Sequence, residues 1–288
     1  MREELGATPT ATRLVAVHEN FWRIGASQDA LGHEVCFYFR VELPDTFVVN
    51  PDYVDTDGAE HTDSTFVWTP LSELSRLTVY PAFLADLVDV GPPDILHFVT
   101  RRWDARDVAT KPELRSTGST DIRLSLEGAV FVARTGAIIV RNGTVLLAHN
   151  DLEDWHYTVG GKIQAGETAE QALRRETREE LGTVPAATSL AAIHENYWRE
   201  DDLLVHELAL FFRVDLPDSF DLDRGHVDPD ALGGANEAFT WIPLSALGQL
   251  RIAPPSLGEL AVEQTRSVQH AVVRETGTGE WPTGDSPR

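Results

Sequence analysis

The sequence is short of cysteine and of basic residues, and it has no long apolar run. Cys36 is the only cysteine, so no disulfide can form within the chain, and we expect a protein of the reducing cytoplasm. No apolar run reaches the roughly 20 residues of a membrane-spanning helix, and the charged start, Met1–Glu4, predicts no signal peptide. With 24 basic against 46 acidic residues the formal net charge is −22, which argues against a nucleic-acid polymer as partner.

The remaining composition is that of a globular protein. The chain has 288 residues, of which 42% are hydrophobic and 24% charged. This length is sufficient for two domains of ordinary size.

A long internal repeat organises the chain. Three pairs of segments align in the same order: 1–24 with 177–200, 33–47 with 206–220, and 66–74 with 239–247. A repeat of this length indicates two copies of one domain. We therefore predict a truncated first copy over 1–104, a polar linker over 105–120, a complete second copy over 121–275 and a flexible tail over 276–288.

The first copy has no counterpart of residues 121–176, so it begins in the middle of a pattern that is complete in the second copy. Two explanations remain open. Either the start of the chain was placed too far downstream, or the first copy is a decayed domain retained as a scaffold. Upstream sequence resembling 121–176 would support the first explanation.

The segment Gly161–Gly182 of the second copy, GKIQAGETAEQALRRETREELG, predicts a glycine loop followed by a helix. Gly160–Gly161 and Gly166 make the loop flexible, and Thr168 suits the N-cap position. From Ala169 to Leu181 the chain contains no glycine or proline and consists mainly of good helix formers. Strand patterns lie on both sides, at 122–126, 129–132, 137–140, 144–148, 190–198, 206–214 and 238–242. The strands 137–140 and 144–148 are predicted to form a hairpin with its turn at 141–143, and 254–272 is predicted as a terminal helix.

Three carboxylates, Glu176, Glu179 and Glu180, fall inside or beside the apolar arc of this helix. Like charges at these spacings repel by roughly 0.2–0.5 kcal/mol per pair even when they are exposed. A bound divalent cation would remove the conflict, and carboxylate oxygens suit Mg²⁺ or Mn²⁺. The alternative is an ordinary charged helix whose glutamates pair with neighbouring arginines such as Arg175.

This segment resembles the signature of the Nudix hydrolases. The matching positions are Gly161, Glu167, Arg175, Glu176, Glu179, Glu180 and Gly182, whereas Val159, Thr177 and Thr183 depart from the family pattern. The resemblance implies an α+β Nudix fold, in which a mixed β-sheet is sandwiched between helices (α/β/α). In this chain the fold would occur as a tandem repeat with an incomplete first copy.

The resemblance also implies an activity, the hydrolysis of a nucleoside diphosphate linked to another group, by water attack at phosphorus. The catalytic and metal-binding set would comprise the Gly160 carbonyl with Glu176, Glu179 and Glu180. Arg175 would hold the carboxylates, and Glu167 would brace the loop against the helix. Two residues compete for the role of general base, Glu176 and Glu237. Glu195 and Glu207 are weaker candidates, because they recur in the first copy as Glu19 and Glu34.

Four side chains near the signature are candidates for substrate binding. Trp155, Tyr157 and Tyr197 could stack on a base, and Lys162 could reach a phosphate; packing and solvation are the alternatives. Trp198 recurs as Trp22 and is expected to be structural. The expected partner is a small nucleotide diphosphate derivative, with a homodimer or packing between the two copies as further expectations. A rival interpretation is a nucleotide or ADP-ribose sensor with vestigial catalysis.

Overall fold

The structure is a computed structural model. It describes residues 7–24, 30–49, 66–88, 91, 94–102, 120–150, 154–200, 203–222, 227–228, 237–262 and 267–274. The chain divides into two compact units, one of Met1–Glu19 with Val35–Phe98 and one of Asn20–Glu34 with Val99–Arg288. The predicted tail and all of the predicted linker except residue 120 lie outside the described residues.

The first unit contains most of a three-stranded sheet. Its elements are β1 (Ala11–Ile24), β2 (Ala30–Glu42), a 3-10 helix (Leu71–Arg76), α1 (Leu84–Val88) and β3 (Leu96–Arg102), and the strand order is β2-β1-β3. Val15 and Ala16 of β1 are buried against Phe83 and Leu87. The middle of β1 therefore forms the core of this unit, as its apolar residues require.

The described residues of the second unit form two mixed sheets, two α-helices and a 3-10 helix. In chain order the elements are β4 (Arg123–Leu126), β5 (Ala129–Ile138), β6 (Val140–Arg141), β7 (Thr144–Asn150), β8 (Trp155–Tyr157), α2 (Ala169–Leu181), β9 (Ala187–Glu200), β10 (Leu203–Asp215), β11 (Val227–Asp228), β12 (Glu237–Pro243), the 3-10 helix (Leu244–Gln249), β13 (Ile252–Ala253), α3 (Leu257–Val262) and β14 (Gln269–Arg274).

The strands of the second unit are arranged in the orders β14-β9-β10-β5-β4 and β11-β12-β7-β8-β13, and β6 pairs with β7. In the first of these sheets β5 runs parallel to β10, whereas β9 runs antiparallel to it. One buried cluster joins Ile138 of β5, Val145 of β7 and Leu257 of α3. The core thus lies between the two sheets, and α3 helps to close it.

The predicted helix after the glycine loop is confirmed, and α2 has the expected bounds. Thr168 caps its start in a capping box with Gln171, and Gly182 ends it with a φ of 66°. A non-glycine residue rarely adopts such a left-handed conformation. Ala172 and Leu173 are buried, so the apolar arc faces the protein interior.

The predicted terminal helix over 254–272 is wrong in its second half. Helix α3 ends at Val262, and β14 then runs parallel to β9. Val272 and Val273 are β-branched and favour a strand, and the edge of β9 offers backbone groups that need partners. The strand conformation of β14 thus depends on its pairing with β9, which is distant in the sequence.

The predicted hairpin around 141–143 is tighter than expected. Arg141 belongs to β6 and pairs with Thr144, so the turn consists of Asn142 and Gly143 alone. Their φ values are 51° and 75°, as in the primed turns that match strand twist. The preceding strand also differs, because β5 is continuous to Ile138 and includes part of the segment that was predicted as a separate strand.

Several side-chain contacts occur at equivalent positions of the two copies. The carboxylate–imidazole pairs Glu19–His97 and Glu195–His270 both have a distance of 2.8 Å. The ring centroids lie 4.2 Å apart in Phe21–His33 and 4.3 Å apart in Tyr197–His206. Arg101 lies over the Phe21 ring at 5.4 Å, and Arg274 lies over the Tyr197 ring at 5.6 Å. These contacts agree with the alignment of the copies. The division into two domains stays a prediction.

Within the described ranges, no helix is both long and apolar enough to cross a membrane.

Candidate active site

A glycine loop follows β8 and lies against the backbone of β5. Gly160 has a φ of 145°, and a Cβ at this position would overlap the carbonyl oxygen of Thr135. The amide of Thr135 donates to the carbonyl of Gly161 at 2.9 Å, and the amide of Ala137 donates to Val159 at 2.7 Å. Only glycine fits position 160, because both its conformation and its close contact exclude a side chain.

Two carboxylates of α2 lie against this loop. A Cβ at Gly161 would overlap the Glu176 carboxylate, so Glu176 packs directly on the glycine backbone. The amide of Gly160 donates a hydrogen bond to Glu180 Oε2 at 3.2 Å. The loop and the helix therefore bring backbone groups and two carboxylates into one place.

Arg175 is the centre of the hydrogen-bond network around these carboxylates. Its guanidinium contacts both oxygens of Glu167 at 2.6 and 3.2 Å. It also donates to Glu176 Oε1 at 2.6 Å, to Glu179 Oε2 at 3.0 Å and to the carbonyl of Lys162 at 3.0 Å. Burial lowers the pKa of Arg175, but the hydrogen bonds to Glu167 and Glu176 outweigh burial and the net shift is upward. The guanidinium therefore keeps its charge.

Glu167 connects this network to the loop. Its Oε1 accepts a hydrogen bond from the amide of Gln164 at 2.7 Å while it also accepts from Arg175. The carboxylate thus fixes the loop backbone and the helix side chain to each other. This geometry supports the bracing role that the family resemblance implies for Glu167.

The site carries more negative than positive charge. Three carboxylates, those of Glu167, Glu176 and Glu179, contact the guanidinium of Arg175, and a fourth, that of Glu180, accepts from the amide of Gly160. Burial raises the pKa of Glu176 above its usual value; the Arg175 hydrogen bond opposes this rise, and the charges of Glu179 and Glu167 add to it. The Glu176 side chain is only 14% exposed, compared with 58% for Glu179. A further positive charge would therefore stabilise this face of α2.

The residues present fit a hard divalent cation in their chemistry. Glu176, Glu179 and Glu180 offer carboxylate oxygens, and Gly160 offers a backbone carbonyl; oxygen donors are the ligands that Mg²⁺ and Mn²⁺ prefer. Across the described ranges, however, no three His, Cys, Asp or Glu side chains are already grouped as a metal site. Glu176 and Glu179 instead each give one oxygen to Arg175.

A cleft of about 190 Å³ begins at Gly160 and extends over the strands of the first mixed sheet. Its aromatic lining includes Tyr157, Trp198 and Phe211, and its polar lining includes Arg134, Asn196 and Glu207. The cleft therefore combines flat apolar surfaces with a few polar groups, which is the usual composition of a small-molecule site.

Tyr157 and Trp155 were both predicted to bind substrate, and their ring centroids lie 6.5 Å apart. Tyr157 lines the cleft. The Trp155 ring lies under the guanidinium of Arg251, whose Cζ is 4.3 Å from the ring centroid. This cation–π contact is one packing partner of Trp155, and the contact of Trp155 with a substrate stays a prediction.

Lys162 and Tyr197, the other two candidates, have partners elsewhere in the second unit. Lys162 Nζ lies 3.5 Å from Asp121 Oδ2. Tyr197 stacks on His206 and, because side chains alternate along β9, points to the opposite face of the sheet from Asn196 and Trp198. Their contact with a substrate stays a prediction.

The backbone of Glu237 begins β12 and pairs with Asn150 and Asp228. Its side chain lies outside the description that the structure provides. The choice between Glu176 and Glu237 as general base therefore remains open.

The residues of the cleft that sequence reasoning did not assign to substrate binding include Arg134, Asn196, Trp198 and Glu207. Trp198 and Glu207 were assigned to structure because they recur in the first copy. A useful signal was available in β9 and β10, where the alternation places Asn196 and Glu207 on one face among apolar neighbours. Such polar positions in a buried strand usually need a specific reason.

Comparisons with known proteins agree with this geometry. Residues 131–263 match the family model described as the NUDIX domain. Similar solved structures include the MutT protein from Bacillus halodurans (18% identity, 53% of this chain and 95% of that chain, TM-score 0.43) and the MutT NUDIX hydrolase from Burkholderia pseudomallei (23%, 46% and 98%, 0.37). An ADP-ribose pyrophosphatase from Streptococcus suis is also similar (17%, 48% and 98%, 0.34). The comparison with curated proteins found no match.

The matched segment contains the glycine loop, α2 and the cleft. It is a Nudix domain, which confirms the resemblance of the glycine loop and α2 to the Nudix signature. The predicted α+β Nudix fold is confirmed as well, with mixed sheets and few helices.

Proposed function

We propose that the second copy hydrolyses a nucleoside diphosphate linked to another group, with Mg²⁺ or Mn²⁺ as cofactor, and that its whole active site lies within residues 121–275. The observation that carries this proposal is the contact between the glycine loop and α2. Glu176 packs on Gly161, and Glu180 accepts a hydrogen bond from Gly160. A site of oxygen ligands with excess negative charge would suit a divalent metal ion, which would supply positive charge for a diphosphate.

The metal would be held by the carbonyl of Gly160 and by the carboxylates of Glu176, Glu179 and Glu180. When bound, such an ion supplies positive charge to the diphosphate and acidifies a water molecule. Arg175 positions the carboxylates, because it contacts Glu176 and Glu179 from one guanidinium nitrogen. Its other contacts, to Glu167, keep the loop and the helix in register.

The reaction needs a base for the attacking water. As the new bond from the water oxygen to phosphorus forms, one phosphorus–oxygen bond of the anhydride breaks, and the water proton passes to a carboxylate. Glu176 suits this role because burial raises its pKa towards the range in which a base works near neutral pH. Glu237 is the second candidate.

The cleft would receive the organic part of the substrate. It begins at Gly160, so a diphosphate at the loop leaves the attached group beside Tyr157 and Trp198. The substrate class is a small nucleotide derivative. The single cysteine, Cys36, supports a cytoplasmic location.

One observation favours the second candidate function, a nucleotide or ADP-ribose sensor. Glu176 and Glu179 are both paired with Arg175, and this arrangement would persist in a domain that had lost its metal. A binding module would keep the cleft and the loop but would have no use for the carboxylates as ligands.

A substrate panel distinguishes the two functions. The full chain is incubated with Mg²⁺ and with a set of nucleoside diphosphate derivatives, and phosphate-containing products are measured. Hydrolysis of at least one compound, abolished by a chelator and restored by excess Mg²⁺, supports the enzyme. No turnover on any compound, together with tight binding of one of them, would replace the enzyme by the sensor.

A further inference from the structure

The polar wall of the cleft is fixed in place by a buried amide. Asn196 is only 4% exposed, and its Nδ2 donates to Glu207 Oε1 at 2.9 Å. The Glu207 side chain is 15% exposed, so the amide holds a carboxylate whose remaining surface lines the cleft. A fixed carboxylate in such a place accepts hydrogen bonds from a ligand at little entropic cost.

Arg134 lies beside this carboxylate, at more than hydrogen-bond distance. Its Nε lies 3.8 Å from Glu207 Oε2, which is longer than a hydrogen bond. The guanidinium has five N–H donors, and its side chain is 47% exposed. The wall therefore presents a strong donor and a strong acceptor side by side.

Tyr157 and Trp198 add flat surfaces to the same cleft. Pockets for drug-sized ligands measure about 300–1,000 Å³, so a cleft of about 190 Å³ suits one ring system and not a whole nucleotide. An aromatic ring that stacks in this space would turn its polar edge towards Arg134 and Glu207.

We propose that this wall selects guanine, so that the preferred substrates are guanosine diphosphate derivatives; this inference rests on the proposed function. Guanine offers O6 and N7 as acceptors, which arginine recognises, and its neighbouring N1–H and N2–H groups match a carboxylate. Adenine has the opposite order: its N6 amino group would face Arg134, and its N1 lone pair would face Glu207. A site whose polar groups are all paired by one base rejects an analogue that leaves those groups unpaired.

A purely structural role for the carboxylate is the competing explanation, because the first copy repeats the pair as Asn20–Glu34, at 3.2 Å. Arg134, by contrast, lies in the segment that has no first-copy counterpart. A structural role would affect stability and leave base preference unchanged.

The test compares GDP-glucose with ADP-glucose on the full chain in Mg²⁺, with kcat/KM as the measured quantity. We expect GDP-glucose to be preferred by about tenfold or more. Glu207→Gln should bring the ratio close to one, and Arg134→Met should also reduce it, which keeps the test valid if one variant does not fold. Glu200→Gln, an equal charge change at the exposed end of β9, is the matched control and should retain the ratio.

Three results have distinct meanings. Equal kcat/KM values for GDP-glucose and ADP-glucose would overturn the guanine inference but would leave the proposed function unaffected. A Glu207→Gln protein with reduced thermal stability but an unchanged ratio would also overturn it, in favour of the structural role. Binding of GDP over ADP in calorimetry, without hydrolysis of either sugar nucleotide, would support guanine selection and leave the proposed catalysis to the result of the substrate panel.

Discussion

Replacement of Arg175 by alanine tests the central network of the site. Two of its carboxylate partners are mostly buried, with side-chain exposures of 17% for Glu167 and 14% for Glu176, whereas Glu179 is 58% exposed. Removal of one partner of a buried ion pair costs about 3–5 kcal/mol, and an exposed pair contributes about 0–1 kcal/mol. Since water reaches this site, we expect the low end, a loss of ~3 kcal/mol in the free energy of unfolding.

The loss should depend on pH. Burial raises the pKa of Glu176 in the folded state, so the folded protein binds more protons than the unfolded chain above the ordinary value of 4.5. Stability therefore falls as pH rises through that window. Without Arg175 the hydrogen bond that lowers the pKa of Glu176 is lost. The pH range over which stability falls therefore extends to higher pH. The variant should lose more stability at pH 8 than at pH 5.

Urea unfolding in the presence of a chelator, at both pH values, measures these differences. Arg178→Ala is the matched control, because Arg178 is an exposed arginine of the same helix, and it should cost less than about 1 kcal/mol. An Arg175→Ala protein as stable as the Arg178→Ala protein, or a loss that is the same at both pH values, would refute the reasoning about the buried carboxylates.

Three further predictions concern single positions. Glu237→Gln should reduce turnover strongly without a change in metal affinity if Glu237 is the base; near-normal turnover would return the role to Glu176. Gly161→Ala should displace the Glu176 carboxylate and weaken Mg²⁺ binding in calorimetry, and unchanged affinity would remove Glu176 from the ligand set. Thr168→Ala removes the cap of α2 and should lower the free energy of unfolding by about 1 kcal/mol; a loss near zero would contradict the role of the capping box.

The glycine loop and α2 could be predicted from the sequence because their signals are local. Thr168, the run of helix formers and Gly182 all lie within one short segment, and each agrees with the others. The hairpin at Asn142–Gly143 was recognised for the same reason, although its turn is shorter than expected.

The cleft and β14 could not be predicted in this way. Arg134 comes from β5, Asn196 from β9 and Glu207 from β10, and only the parallel pairing of β5 with β10 brings the first and last of these together. β14 is a strand because the edge of β9 is available to it, whereas its own sequence continued a segment that was predicted as helix. Non-local pairing decided both outcomes.

The repeat influenced the site prediction in a further way. Recurrence of Glu207 as Glu34 suggested a structural residue, yet the structure places Glu207 in the lining of the cleft. A position can have the same local partner in both copies and still line a cleft in one of them. The equivalent pair Asn20–Glu34 shows that the local contact alone does not distinguish the two cases.

The most direct test of a metal-dependent hydrolase at the glycine loop is the Mg²⁺ dependence of turnover in Glu180→Gln. The measurement uses the full chain and the best compound of the substrate panel, with Glu127→Gln, an exposed residue of the β4–β5 turn, as the control of equal charge change. We predict that turnover of the Glu180→Gln protein falls by about a hundredfold or more, that half-saturation shifts to higher Mg²⁺, and that the control behaves like the wild type. Unchanged turnover and unchanged Mg²⁺ dependence in a folded Glu180→Gln protein would contradict the account.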